Sequence, residues 1–311
     1  MNKLLALTVI ITLAACSSVD TQTSTELVSD AQSADVNEWY SQGQSAVAQR
    51  INTKVNTNKA KNVILFIADG MGVSTITAAR IYDGQSRGES GEENSLSFEL
   101  FPNLALVKTY NTDAQVPDSA GTASAMTTGV KTGIGVISQA ADQHNECYGP
   151  TKAFPKTIAE IAEVKGLATG VVSTASITHA TPAAVYAHSP SRNWEADSGI
   201  PADKRVLGCQ DIAQQLVQFS AGDGLDVALG GGKRYFYSTD AGGKREDGRN
   251  LVGEWQRKYS EGAFVTNADE LSQAAKNKDK IFGLFSSKHM AFEADRSATQ
   301  EPSLTEMTSS A

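Results

Sequence analysis

Five short apolar runs alternate with segments of helical character along this chain, and that alternation is what most constrains its fold. Strands fed through helices in this order build an α/β three-layer sandwich, a central and mostly parallel sheet covered by helices on both faces. The expected strands are 63–68, 104–109, 168–173, 227–229 and 281–285. Helices are expected over 72–83, 119–128, 157–165, 206–219 and 267–275. With 311 residues, 40% hydrophobic and 20% charged, the chain can bury the core of one large domain. Glycines 230–232 read as a turn, because they lack the Lys-Ser or Lys-Thr pair of a nucleotide-binding loop. Residues 240–248 mix glycines with charges of both signs and read as a surface loop.

The first residues have a different character. Lys3 precedes an apolar stretch over 4–15 that is too short to cross a bilayer, so 1–15 reads as an export signal. Leu13 to Cys16, LAAC, resembles a bacterial lipobox. Cleavage there would leave Cys16 as the lipidated first residue, with Ser17 directing outer-membrane sorting. The alternative is an ordinary secretory signal with an incidental cysteine. Residues 16–58 are polar and read as a tether carrying one short helix over 38–50. The expected location is therefore the bacterial cell envelope, periplasm or outer membrane, with the membrane reached through lipid on Cys16. Cys147 and Cys209 remain, as a bridge in an oxidising compartment or as two buried thiols. The net charge of −8 argues against a nucleic-acid surface. It also means that an anionic substrate must be drawn by local cations, such as bound metal ions.

Two motifs carry chemistry. In VPDSAGTASAM, residues 116–126, Pro117 breaks any preceding helix and places Asp118 and Ser119 at the mouth of a helix of small residues. Free N–H groups and the positive dipole end would favour an anion beside the Ser119 hydroxyl. Taken alone, Asp and Ser are also ordinary capping residues. In KNVILFIADGMG, residues 61–72, an apolar run of strand length ends in Asp69. Beyond the carboxyl end of a strand, that carboxylate is placed for a metal, or else it makes a simple Asp-Gly turn.

Together with THATPAAVYAHSPSRNW and GCQDIAQQL, these motifs resemble the alkaline phosphatase family in order and spacing, from about Asn62 to the last residues. The resemblance implies phosphate monoesters as substrates, with two zinc ions about 4 Å apart and one magnesium as cofactors. Ser119 would be the nucleophile and a zinc ligand, forming a phosphoserine. Asp118 would orient the site, Asp69 would bridge zinc and magnesium, and Thr181 would offer its hydroxyl to magnesium. His179 would lie beside that third ion, acting through water or favouring zinc there. Arg192 would clamp two phosphate oxygens with its planar fork. His144, His188 and His289 read as structural. Animal-type family members carry cysteines matching Cys147 and Cys209, which supports the bridge. Dimers are common in the family, so a homodimer is expected. The DSAGTASA string with Arg192 favours a monoesterase over the sulfatases and diesterases of the same superfamily.

The resemblance also has a departure. Family members continue beyond the segment matching EPSLTEMTSSA with further zinc and magnesium ligands and with central strands. The expectation is a fragment of a longer enzyme, poorly folded or inactive alone, with a sheet edge and apolar faces exposed. The non-enzymatic alternative is an anchored surface lipoprotein that binds phosphate.

Overall fold

Four parallel strands, β1 (Gly170–Ser176), β2 (Val227–Gly231), β3 (Ala263–Val265) and β4 (Ile281–Leu284), form a sheet in the order β1-β2-β4-β3. They belong to a computed structural model that describes residues 38–143, 154–298 and 300–311. The expected signal peptide 1–15, Cys16, the tether as far as residue 37, His144 and Cys147 lie outside the described residues. Among the described residues, no helix is long and apolar enough to cross a membrane.

The two-residue period of a strand sends neighbouring side chains into opposite layers. Val171, Ala228, Phe282 and Leu284 enter one core cluster. Val227, Leu229, Ile281 and Phe285 enter the other. On the first face lie Ala159 of α4 (Ile158–Val164), Ile212 and Leu216 of α7 (Ile212–Gln218), and Leu251 and Trp255 of α8 (Leu251–Lys258). The second face is covered by Leu271 of α9 (Ala268–Ala274) and Met307 of α10 (Leu304–Ser310). Each large side chain so buried contributes about 1.5–3 kcal/mol, which makes this sandwich the main source of stability. Gly283 lets β4 sit flush, because a Cβ there would stand 2.6 Å from the Phe285 ring and 2.7 Å from Leu229.

Packing divides the described residues into two compact units, one running as far as Phe66 and including Thr77–Ala105, the other Ile67–Ile76 with Leu106–Ala311. The second unit holds the sheet. The first contains α1 (Glu38–Ile51), none of whose residues is buried, and most of α2 (Val73–Ser86). After α2 the chain folds back on it. Gly91, at φ 96°, sits so close to the Ile81 backbone that no side chain would fit.

Several expectations need correction. Runs 63–68 and 104–109 are not strands. They carry no ladder hydrogen bonds, and Val63 and Leu106 are 78% and 98% exposed. Apolar, β-branched composition suits a strand, but a strand exists only where a neighbour pairs its N–H and C=O groups, and none of the described residues does so here. The expected helix 206–219 is two helices, α6 (Ala202–Val206) and α7. Gly208, at φ 82°, breaks the path, and Asp211 caps α7 by accepting from Gln214 N–H at 2.8 Å. Gly230 and Gly231 end β2, and only Gly232, at φ 90°, turns. The loop 240–248 carries Arg245, whose side chain is 0% exposed because two aspartates receive it. Helices α8 and α10 and strand β3 were not expected. Asn250 and Ser303 cap the two helices, accepting from Gly253 and Glu306 N–H.

Candidate active site

Helix α3 (Ser119–Thr128) begins where the sequence placed it. Asp118 is extended at φ −110° and ψ 168° and caps the helix, its Oδ1 accepting from Gly121 N–H at 3.0 Å. The face bearing Ala120, Ala123 and Thr127 is buried, and α3 packs against α5 (Ala180–Ala183). Ser119 thus stands half-buried in the first turn, among amides that have no partner within the helix.

Asp118 is saturated with donors. Its Oδ1 also accepts from Asn111 Nδ2 at 2.9 Å, while Oδ2 accepts from Gly135 N–H at 3.0 Å and from Arg192 at 3.1 Å. Burial alone would raise its pKa. The hydrogen bonds from Gly121, Asn111, Arg192 and Gly135 outweigh burial and hold the carboxyl below its ordinary range. Gly121 is required for this arrangement, since a Cβ would lie 2.5 Å from the Asn111 side chain.

Arg192 joins the pieces. One terminal nitrogen donates to Asp118 and, at 2.9 Å, to Ser119 Oγ. The other donates to His179 Nε2 at 2.9 Å. A guanidinium can only donate, so His179 accepts at Nε2 and is the neutral tautomer protonated at Nδ1. Burial, followed by the positive charge of Arg192, lowers the His179 pKa below its ordinary value. His179 therefore directs its lone pair at Arg192 rather than at Ser119, and the two do not form a serine–histidine dyad. The His289 ring meets His179 edge-on with centroids 5.2 Å apart, and its Nδ1 accepts from Ser176 N–H at 2.9 Å at the end of β1.

Asp69 and Thr181 form the other side of the cluster. Asp69 lies in a turn with Gly70 at φ 69°, and its Oδ2 accepts from the Thr181 hydroxyl at 3.2 Å. A carboxylate beside a hydroxyl fits a hard divalent cation, which binds through one or two carboxylates and keeps several waters. Zinc is a different case. A catalytic zinc takes three protein donors, and among the described residues no three His, Cys, Asp or Glu side chains converge to hold an ion.

The structure therefore brings together Ser119 with Asp118, Arg192 with His179, and Asp69 with Thr181. His188 stays apart, stacked on Phe154 and hydrogen-bonded to Ser138 O and Glu160. Cys209 is disulfide-bonded, with its partner outside the described residues. Asn111, Gly135 and His289 belong to the site without having been singled out for it. Asn111 and Gly135 act through contacts with Asp118, which no local spacing reveals, and His289 reaches His179 from beyond β4.

A model of the alkaline phosphatase family matches residues 60–311. The chain is 43% identical over 268 residues to an alkaline phosphatase of Gadus morhua, covering 81% of this chain and 56% of that one. Among solved structures, the Thermus thermophilus alkaline phosphatase matches with a TM-score of 0.61 at 28% identity, over 79% of this chain and 44% of that one. A histidine-to-glutamate variant of the TAB5 alkaline phosphatase, described with magnesium bound in its M3 site, matches at 0.51 and 28%, over 72% and 52%. The chain spans about half the length of the curated relatives it matches.

Proposed function

Because this chain belongs to the alkaline phosphatase family, we propose that it serves metal-dependent hydrolysis of phosphate monoesters through a phosphoserine at Ser119. One observation carries the reading. A single guanidinium, from Arg192, bridges the helix-capping Asp118 and the Ser119 hydroxyl at the N-terminus of α3. A phosphoryl group in front of Ser119 meets that guanidinium and the free amides of the first turn, which offset the charge on its oxygens.

Ser119 Oγ attacks phosphorus in line as the bond to the ester oxygen breaks. The alcohol leaves with a proton, and the hydroxyl proton of Ser119 passes to solvent. Water then attacks the phosphoserine, the P–Oγ bond breaks, Ser119 regains a proton and phosphate is released. Arg192 turns from Ser119 Oγ to the phosphoryl oxygens, and Asp118 keeps its fork oriented.

Asp69 and Thr181 would hold a hard cation such as magnesium, with His179 beside it. Bound divalent ions supply charge neutralisation and lower the pKa of coordinated hydroxyls and water. Two zinc ions and one magnesium remain the proposed complement, with Ser119 and Asp69 as zinc ligands. The zinc sites need donors in addition to those assembled here, so no step is routed through them. Lipid anchoring at Cys16 in the bacterial envelope and a homodimer are proposed on the sequence alone, as is Cys147 as the partner of the disulfide-bonded Cys209.

Incubation with radiolabelled phosphate at acid pH, followed by quenching and peptide mapping, tests the reading. Label on Ser119, lost in Ser119→Ala, is expected. Phosphate binding that survives in Ser119→Ala but not in Arg192→Ala, with neither label nor turnover of p-nitrophenyl phosphate, would instead mark a phosphate-binding surface lipoprotein.

A further inference from the structure

Arg192 sits in a segment anchored on both sides. Before it, Ile137 and Ser189 exchange backbone hydrogen bonds of 2.8 and 2.9 Å, and Arg192 N–H donates to Gly135 O at 2.7 Å. After it, the first two amides of α7, Ile212 and Ala213, donate to Trp194 O at 2.8 Å and Glu195 O at 3.3 Å. The downstream anchor is therefore only as firm as the start of α7, a helix capped by the fully buried Asp211.

Arg245 holds that cap. It meets Asp211 end-on, Nη1 to Oδ1 at 3.0 Å and Nη2 to Oδ2 at 2.9 Å, and donates to Tyr235 O at 3.3 Å. Its Nε donates to Asp247 at 3.0 Å, with a second contact from Nη2. Asp197, on the chain just beyond Arg192, accepts Glu246 N–H on both oxygens at 3.1 Å and stands 3.9 Å from Arg245. One buried guanidinium thus joins the loop 240–248 to Asp211, the cap of the helix whose first amides hold Trp194 and Glu195, and stands beside Asp197 of the same segment. The hydrolysis described above makes no use of Arg245, yet burying its charge is tolerable only because the carboxylates around it are paired in this geometry. Lysine retains the charge and loses the fork.

We propose that Arg245 is a positioning residue for Arg192, acting through Asp211 and Asp197 to hold the segment 192–197 so that the Arg192 fork faces a phosphoryl anion. The inference rests on the reading of Ser119 and Arg192 as an anion site.

Calorimetric titration of the full chain with inorganic phosphate tests it in wild type, R245K, R192A and the double variant. R245K is expected to weaken phosphate about tenfold, the equivalent of one charge-assisted hydrogen bond, and to cause no further loss in the R192A background. Wild-type affinity in R245K alongside a lowered melting temperature, or losses that multiply in the double variant, would overturn it. If wild type binds no phosphate, the anion-site reading fails and the positioning claim is judged on the Arg192 side-chain Nε resonance of the free protein. That resonance is expected to shift or broaden in R245K, and an unchanged resonance overturns the claim. Should R245K not fold, Asp247→Asn loosens the same guanidinium from the rim and carries the same expectations.

Discussion

Replacing Asp118 with asparagine removes one acceptor atom from a carboxylate that receives four donors. With the amide oxygen kept toward Gly121 N–H and Asn111, the new NH2 group faces Gly135 N–H and Arg192, donors it cannot accept from. Hydrogen bonds to a charged group contribute about 1.5–3 kcal/mol each, and the partly exposed Arg192 and Asp118 side chains place both lost bonds at the low end. The expected local loss is about 3 kcal/mol, which raises the opening constant ~150-fold. Native-state hydrogen exchange measures it directly, with the Gly135 amide losing protection by about that factor and phosphate affinity falling as Arg192 is released. The same logic fixes the pH dependence. The folded Asp118 pKa lies below its unfolded value, so its stabilisation is present above about pH 3.9 and is lost as pH falls through the folded value. Unchanged Gly135 protection and phosphate affinity in D118N would refute the assignment of Asp118 as the group that holds Arg192.

Three further outcomes follow from the packing and electrostatics. Gly121→Ala gains about 1 kcal/mol of helix propensity but drives a methyl into the buried Asn111, an overpacking cost of about 1–3 kcal/mol, so urea denaturation should show a net loss and a stabilised variant would refute the close approach. Gly283→Ala should cost a similar ~1–3 kcal/mol by pushing Phe285 and Leu229 apart, with the melting temperature lowered by several degrees. His179 is held neutral by burial and by Arg192, so in the metal-free chain its ring protons should titrate below the ordinary 6.5. Its contribution to stability is complete above about pH 6.5 and declines as pH falls from there through the folded value, and a titration above 6.5 by NMR would contradict the Arg192 contact.

Much of the site was legible because its signals are local. Pro117 followed by Asp118 and Ser119 fixes where α3 starts, since proline stops a preceding helix and a short acidic side chain can satisfy the Gly121 amide three residues on. The 157–165 and 267–275 helices were legible in the alternation of apolar and polar residues, with Thr157 and Asn267 capping them in the structure, and the central strands in apolar runs that are buried on both faces. The failures share a cause. Runs 63–68 and 104–109 have strand composition, yet pairing is a property of the neighbour and not of the run. A loop rich in charges looked exposed at 240–248 because nothing within it announces that Asp211, 34 residues upstream, will receive Arg245.

Residue types and their short-range spacing settled on their own the alternation that makes a parallel sheet and the helix start at Ser119, while the group of side chains able to meet an anion was read from the resemblance of four motifs to the alkaline phosphatase family. The first two are decided by backbone sterics, capping and periodicity, which act over a few residues. Tertiary structure alone decided that Arg192 donates to Ser119, Asp118 and His179 together, that Asp69 reaches Thr181 across 112 residues, and that the buried Arg245 pairs with Asp211. Hydrogen bonds and desolvated charges depend on distances that only the packed chain sets, and no spacing along the sequence encodes them.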